Sequence, residues 1–298
     1  MDKLGLAESG RPKIVRLMGS ASAAATKRVV EAIDSREHTV CFDKVGQVTT
    51  TISSLPRELK SDLLLEGEEA IFADLSHAHH CFLPRLLSER IDYHQKNALR
   101  TPALSLGDAF VILFVAWKVQ VETVAELETE RRRLIEFLST GDYYSKLGRE
   151  GEGRNSVKKL ANTVLNLAND TAARIPLYRS MRTKFPATFA IVEAIKRNDH
   201  RNISNPLRYN TAKSIEDALL ALQASGILAI PQADALLCQK RHRETVCRTF
   251  GAAVFQVSGG VCCKVDGIRY EQPVSCPSST RNLSNGVAGF PWSDRFVG

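Results

Sequence analysis

"IFADLSHAHHCFLPRLL", residues 71–87, changes period part-way along. Ile71, Phe72 and Ala73 form a short apolar run of strand character that stops at one carboxylate, Asp74. After the histidines, Phe82, Leu83, Leu86 and Leu87 recur at helical spacing, with Pro84 tolerable only near a helix start. A carboxylate closing a buried strand is costly unless something compensates it. A helix N-cap role is the ordinary explanation for Asp74, and Ser76 competes for it. A metal-ligand role is the functional one, and it requires a second carboxylate nearby.

Asp234 is the candidate partner. In "GILAIPQADALLCQ", residues 226–239, two apolar segments flank Pro231-Gln232-Ala233-Asp234, which reads as a hairpin with the Asp at its turn. Two Asp side chains brought together on one sheet repel unless a divalent cation sits between them, as in two-metal phosphoryl transfer. A third element is "GRNSVKKLAN", where Arg154 and Lys158 share one helix face at i,i+4 spacing and could grip a triphosphate. The competing explanation is a solvated basic face.

The histidines read differently. On a helix His77 and His80 share a face and His79 points elsewhere. Zinc ligation would need an Asp after the second His and further ligands downstream, and the run His77-Ala78-His79-His80 lacks that Asp. A polar helix start is the simpler expectation.

Outward from these stretches, "ASAAATKRVVEAIDS" reads as a helix, "HTVCFDKVGQVTTTIS" as strands and "EEAIFADLS" as a buried strand. Helices are expected at 102–120, 122–139, 154–169, 185–198 and 211–224. "KRHRETVCRTF" reads as helical, and "GGVCCKVDGIRYE" as a hairpin turning at Asp266-Gly267. The order is strands, a long helical insertion, then strands. It predicts an α+β fold with a small antiparallel sheet and helices on one side. The expected organisation is a basic arm and helix over 1–44, a body over 45–275 with the helical insertion at about 100–200, and a loose tail over 276–298.

The 298-residue chain carries a net charge of +7 and a pI near 9.1, which favours polyanion partners without requiring them. The seven cysteines include no CxxC pair, so reduced thiols in a cytosolic protein are expected. The N-terminus has no apolar signal core. The nine-residue run from Ala109 to Trp117 is too short to span a bilayer, so no membrane role is expected. Oligomeric state is not legible.

Taken in order, these elements resemble the palm and fingers of family A DNA polymerases and the related phage-type single-subunit polymerases. The likeness is closest to the short, divergent polymerase-like proteins of phages and mobile elements, and it covers about residues 45–270. "GQVTTTISSLPRELKSDLLLEGEEAIFADLSHAHHCFLPRLL" is similar to motif A and its lead-in, with D-x-S at Asp74 to Ser76. "STGDYYSKLGREGEGRNSVKKLANTVLN" is similar to a G-D-x-Y step followed by motif B, R-x3-K. The hairpin at Asp234 and the helix after it resemble motif C. The resemblance implies a template-directed nucleotidyltransferase acting on a nucleic-acid template–primer and nucleoside triphosphates. It implies Mg2+ or Mn2+ on Asp74, Asp234 and the Leu75 carbonyl, with Arg154 and Lys158 on the nucleotide phosphates. It also implies Arg57 and Lys60 on the template–primer backbone. His79 stands where the family has a Glu that screens the sugar 2′ position. The chain departs from the pattern at Asn166-Leu167, where Tyr-Gly is usual, and at Ala233-Asp234-Ala235, where His-Asp-Glu is usual. A nucleic-acid-binding protein without catalysis and a histidine-based metal-dependent hydrolase are the two alternatives.

Overall fold

The computed structural model describes residues 4–8, 23–36, 39–43, 45–98, 123–148 and 151–270. The apolar run 109–117, the whole helix expected at 102–120, Cys276 and the tail expected over 276–298 lie outside the described residues.

Strand β1 (Leu4–Leu6) is followed by α1 (Ala23–Asp34), β2 (Val40–Phe42), β3 (Val48–Thr50) and the short α2 (Arg57–Lys60). Then come β4 (Leu63–Leu65), β5 (Glu68–Asp74), α3 (Ala78–Cys81) and α4 (Leu83–Ala98). The helical insertion continues with α5 (Val124–Ser139), α6 (Tyr143–Leu147), α7 (Arg154–Leu165), α8 (Asn169–Ala172), α9 (Pro176–Lys184), α10 (Pro186–Ile195) and α11 (Ser204–Ala224). It closes with β6 (Ala229–Gln232), β7 (Ala235–Gln239), α12 (Arg243–Ser258), β8 (Lys264–Val265) and β9 (Ile268–Arg269). The mixed α+β architecture therefore follows the expected order of strands, helices and strands. Among the described residues no helix is long and apolar enough to cross a membrane.

The main sheet has the order β1-β4-β5-β7-β6, and all its pairings are antiparallel. Asp74 lies opposite Ala235, and Ala70 opposite Gln239, so β5 and β7 pair along most of their length. Pro231 is accommodated because β6 is the edge strand, where a missing N–H breaks no ladder. Both hairpin readings hold: β6 and β7 turn through Ala233 and Asp234, and β8 and β9 through Asp266 and Gly267.

Period-two alternation divides the sheet between two cores. Ala73, Leu236 and Cys238 face a large core built with the helical insertion. Ala70, Leu237 and Ile230 face a second core with Leu4, Leu6, Val29, Val30, Ile33, Ile52 and Leu59. This corrects the expectation of helices on one side, because α1 and α2 cover the other face. Residues 4–6, within the expected basic arm, form an edge strand. Leu4 and Leu6 alternate about Gly5 and are buried, so pairing with β4 removes their apolar surface from water.

Candidate functional site

The site is built where β5 ends. Leu75 N–H donates to the Asp234 carbonyl at 3.2 Å, so the motif A and motif C candidates stand at adjacent ends of paired strands, 160 residues apart in sequence. Ala233 carries a positive φ of 51° in this turn, a conformation that strains any residue with a Cβ. Its N–H donates to the Val48 carbonyl at 3.0 Å, which holds the turn in place from β3. The strain therefore sits beside the carboxylate rather than in the packed interior.

Desolvation of its carboxyl by the protein packed around it, and then the neighbouring Asp234 carboxylate, push the Asp74 pKa up from 3.8 to about 6; Asp266 adds to this, while Lys158 and Lys60 oppose it. Asp74 itself lies at the exposed end of its strand. Among the described residues neither Asp74 nor Asp234 has a side-chain hydrogen bond or an ion pair at contact distance. The fold thus holds two mutually repelling carboxylates at one end of the paired strands β5 and β7. Such hard oxygen donors suit Mg2+ or Mn2+.

The raised pKa has a consequence for stability. Because the folded value lies above the ordinary one, the folded chain holds this proton more tightly between pH 4 and 6. Stability from Asp74 therefore falls as pH rises through that window, and the cost is complete above pH 6. In chelator, Asp74→Asn should raise stability at pH 7 by about 1 kcal/mol, a figure reduced for solvent screening at this exposed position. It should leave stability unchanged at pH 3.5. Thermal unfolding at the two pH values measures both.

Cations come from two elements. Lys60 follows from the strand period: Phe72 and Asp74 share a face of β5, and Lys60 Nζ sits 5.2 Å from the Phe72 ring centroid. Burial lowers the Lys60 pKa, and Asp74 and Asp234 oppose that shift. Lys158 lies on α7, whose buried face is Val157, Ala161, Val164 and Leu165, and its charge reaches Asp74. Lys159, one residue on, is also exposed. Arg154 opens α7 and is otherwise engaged, with Nε donating to Asp142 Oδ2 at 2.9 Å and the guanidinium 5.4 Å from the Tyr144 ring centroid. Arg57 opens α2, and its side chain lies outside the described residues.

The expected polar helix start is corrected: His77 precedes α3 in a left-handed turn, and both His77 and His80 are buried. His77 and His80 are buried against Tyr143 and Tyr144, with ring centroids 5.0–6.2 Å apart. Burial lowers the His80 pKa to about 3, so this ring is neutral. His79 turns away, half-buried, toward Asp234 and Arg208. Burial lowers its pKa, Asp234 opposes the shift, and Arg208 adds to it. Among the described residues no group of three or more His, Cys, Asp or Glu is arranged to hold a metal ion.

Sequence reasoning missed three contributors. Asp266 was legible only as a turn residue. Its N–H donates to the Asp74 carbonyl at 2.8 Å, and Arg243 Nε donates to its carboxylate at 2.5 Å. Arg208 pairs with Asp43 and donates to Gln47 Oε1 at 2.7 Å, tying α11 to the β2–β3 hairpin beside the Asp234 turn. Asp142 fixes Arg154; its signal was the Gly141-Asp142-x-Tyr144 step. No family model and no curated protein sequence matches this chain, so the reading of the site rests on its own residues.

Proposed function

We propose that the chain is a template-directed nucleotidyltransferase in which Asp74 and Asp234 form the reacting centre. The observation that carries this reading is their convergence across the end of β5 and the β6–β7 turn, with the charges of Lys158 and Lys60 felt at Asp74. Asp74, Asp234 and the Leu75 carbonyl would hold the divalent ions. Those ions, when bound, lower the pKa of an attacking 3′-hydroxyl and neutralise charge on the pyrophosphate leaving group. Lys158 supplies fixed positive charge for the phosphates from the side facing the carboxylates. Arg154 can join it only by leaving Asp142. Lys60 and the rest of α2 lie on the same sheet face as Asp74 and offer a contact for a nucleic-acid backbone. His79, held neutral beside Asp234, stands where it can meet the sugar edge of a nucleotide.

One observation favours a second reading, a nucleic-acid binder without chemistry: Arg154 is already paired with Asp142, and Ala235 stands where an acid would complete the centre. Extension of a labelled primer on DNA and RNA templates, with each nucleotide set, in Mg2+ and in Mn2+, separates the two. Extended product supports the transferase. Retained primer binding with no extension in any combination supports the binder.

Both readings require nucleic-acid affinity that falls with salt, because phosphate contacts release counterions. Raising salt from 50 to 200 mM should weaken binding by roughly tenfold or more. Fluorescence anisotropy with labelled single strands and duplexes measures this, and absence of binding at low salt would remove both readings.

A further inference from the structure

We propose that Lys146, Lys184 and Arg269, gathered around Phe137 at the end of α5, bind a phosphate of a nucleic-acid backbone outside the reacting centre. The inference rests on the nucleic-acid affinity that both readings above require, and not on catalysis.

The sequence scatters these cations over α6, α9 and β9, and the fold collects them. The Lys146 and Lys184 ammonium groups each lie 4.2 Å from the Phe137 ring centroid, so they stand at most twice that distance apart. Lys146 Nζ also donates to the Phe137 carbonyl and, at 3.1 Å, to Thr140 Oγ1. One residue farther on, the Gly141 carbonyl accepts from Arg269 Nη2 at 3.4 Å. The chain at Lys184 is fixed to α5 from two sides. Arg133 Nη2 donates to the Lys184 carbonyl at 2.9 Å, and the buried Glu130 carboxylate accepts from the Ala187 and Thr188 N–H groups at 2.9 and 2.7 Å. The cluster is therefore built in advance of any ligand, which lowers the ordering cost of binding.

A helix C-terminus attracts cations, and the end of α5 accounts for part of this gathering. It does not use up the charge or the donors, since an ammonium carries three N–H groups and a guanidinium five. Among the described residues none of the three cations has a carboxylate at ion-pair distance. Glu136 and Asp142 act on Lys146 from farther off; Asp142 is engaged by Ser145 and Arg154, and Glu136 is exposed to water. Partial burial, and then repulsion from Lys184 and Arg269, lower the Lys146 pKa. A bound anion relieves that repulsion. A phosphate accepting charge-assisted hydrogen bonds of about 2.7–2.9 Å from both ammonium groups bridges a gap of this size. Lys146, Lys184 and Arg133 are exposed, so a long chain can reach the cluster. The β8–β9 hairpin gives continuity with the carboxylates: Val265 bridges Leu75 beside Asp74, and Arg269 on the paired strand reaches Gly141. The Phe137 ring is already occupied by two ammonium groups rather than offered to a base. The contact is therefore to backbone and carries no sequence information.

The test is fluorescence anisotropy of the full chain with labelled single strands and duplexes of two unrelated sequences, between about 50 and 200 mM salt. Lys184→Gln should weaken binding by roughly three- to tenfold at the low-salt end, equally for both sequences. It should also make the log–log salt slope shallower by about 0.7 on single strands and 0.9 on duplexes. Lys27→Gln removes the same charge from α1, where Lys27 pairs with Glu31, and should stay within about twofold of the unsubstituted chain. Lys146→Gln should act like Lys184→Gln, but it also strips hydrogen bonds from the end of α5. Lys184→Gln therefore decides, because its ammonium meets the Phe137 ring and no hydrogen-bond acceptor among the described residues. Equal affinity and slope in Lys184→Gln, Lys27→Gln and the unsubstituted chain would overturn the proposal and leave the nucleic-acid readings standing. No binding by the unsubstituted chain would overturn both. Phosphorus NMR with inorganic phosphate identifies the source. Broadening that depends on Lys184, with nucleic-acid affinity unchanged, would assign the cluster to free phosphate and overturn the backbone contact.

Discussion

Asp74→Ala and Asp234→Ala should each lower nucleotide incorporation by on the order of a thousandfold or more while leaving nucleic-acid binding intact or stronger. The size follows from what divalent ions contribute, several kcal/mol of charge stabilisation in the transition state. Removing either carboxylate removes half the oxygen donors that the two side chains offer. The direction of the binding effect follows from charge: each substitution deletes a negative group where a polyanion would lie. Folding is not at risk, because Asp74 is exposed and Asp234 half-buried at the strand ends, and the Asp74 carboxylate destabilises the fold at neutral pH. Single-turnover primer extension and anisotropy, run on the same preparations, check both halves. Unchanged incorporation in either variant would remove that Asp from the reacting centre. Loss of binding together with incorporation would mean that the substitution had damaged the fold.

Lys158→Ala should weaken nucleotide use by roughly ten- to a hundredfold, since one charge-assisted contact contributes about 1.5–3 kcal/mol. Lys159→Ala should do far less. The two residues are neighbouring lysines on α7, so residue type cannot distinguish them; of the two, only Lys158 acts on Asp74. Arg154→Ala should fall between them, because its guanidinium must first part from Asp142, an exposed pair that is weak in water. The pair also affects Asp142: partial burial pushes its pKa up, but hydrogen bonds from Ser145 and Arg154 and the Arg154 charge hold it below the usual range. Steady-state incorporation over a range of nucleotide concentrations, at fixed metal, measures the series. Equal small effects at Arg154, Lys158 and Lys159 would reduce α7 to a solvated basic face.

Most individual elements were legible because their signals are local. The alternation around Ala233-Asp234, the Asp266-Gly267 dipeptide and the helical spacing of Leu83, Leu86 and Leu87 each fix backbone geometry within a few residues. The histidines were not legible: His77 leaves the helix in a left-handed turn, and burial of His77 and His80 depends on Tyr143 and Tyr144, far along the chain. Expected boundaries moved where the period was weak: the helix expected at 211–224 begins at Ser204, and that expected at 154–169 ends at Leu165, with the separate α8 beyond.

Chain chemistry alone fixed the strand at Asp74, the hairpin at Asp234, the basic face of α7 and the mixed α+β order, because turns and period depend on neighbouring residues. Tertiary structure alone decided which of these meet. It placed β1 on β4, covered the second sheet face with α1 and α2, brought Asp266 against the end of β5, and directed Lys158 rather than Arg154 at the carboxylate. It also set Arg208 against Asp43, 165 residues away. These contacts depend on which apolar faces and unpaired backbone groups fit one another across the fold. A side chain's local pattern says which way it points, but not what will stand opposite it.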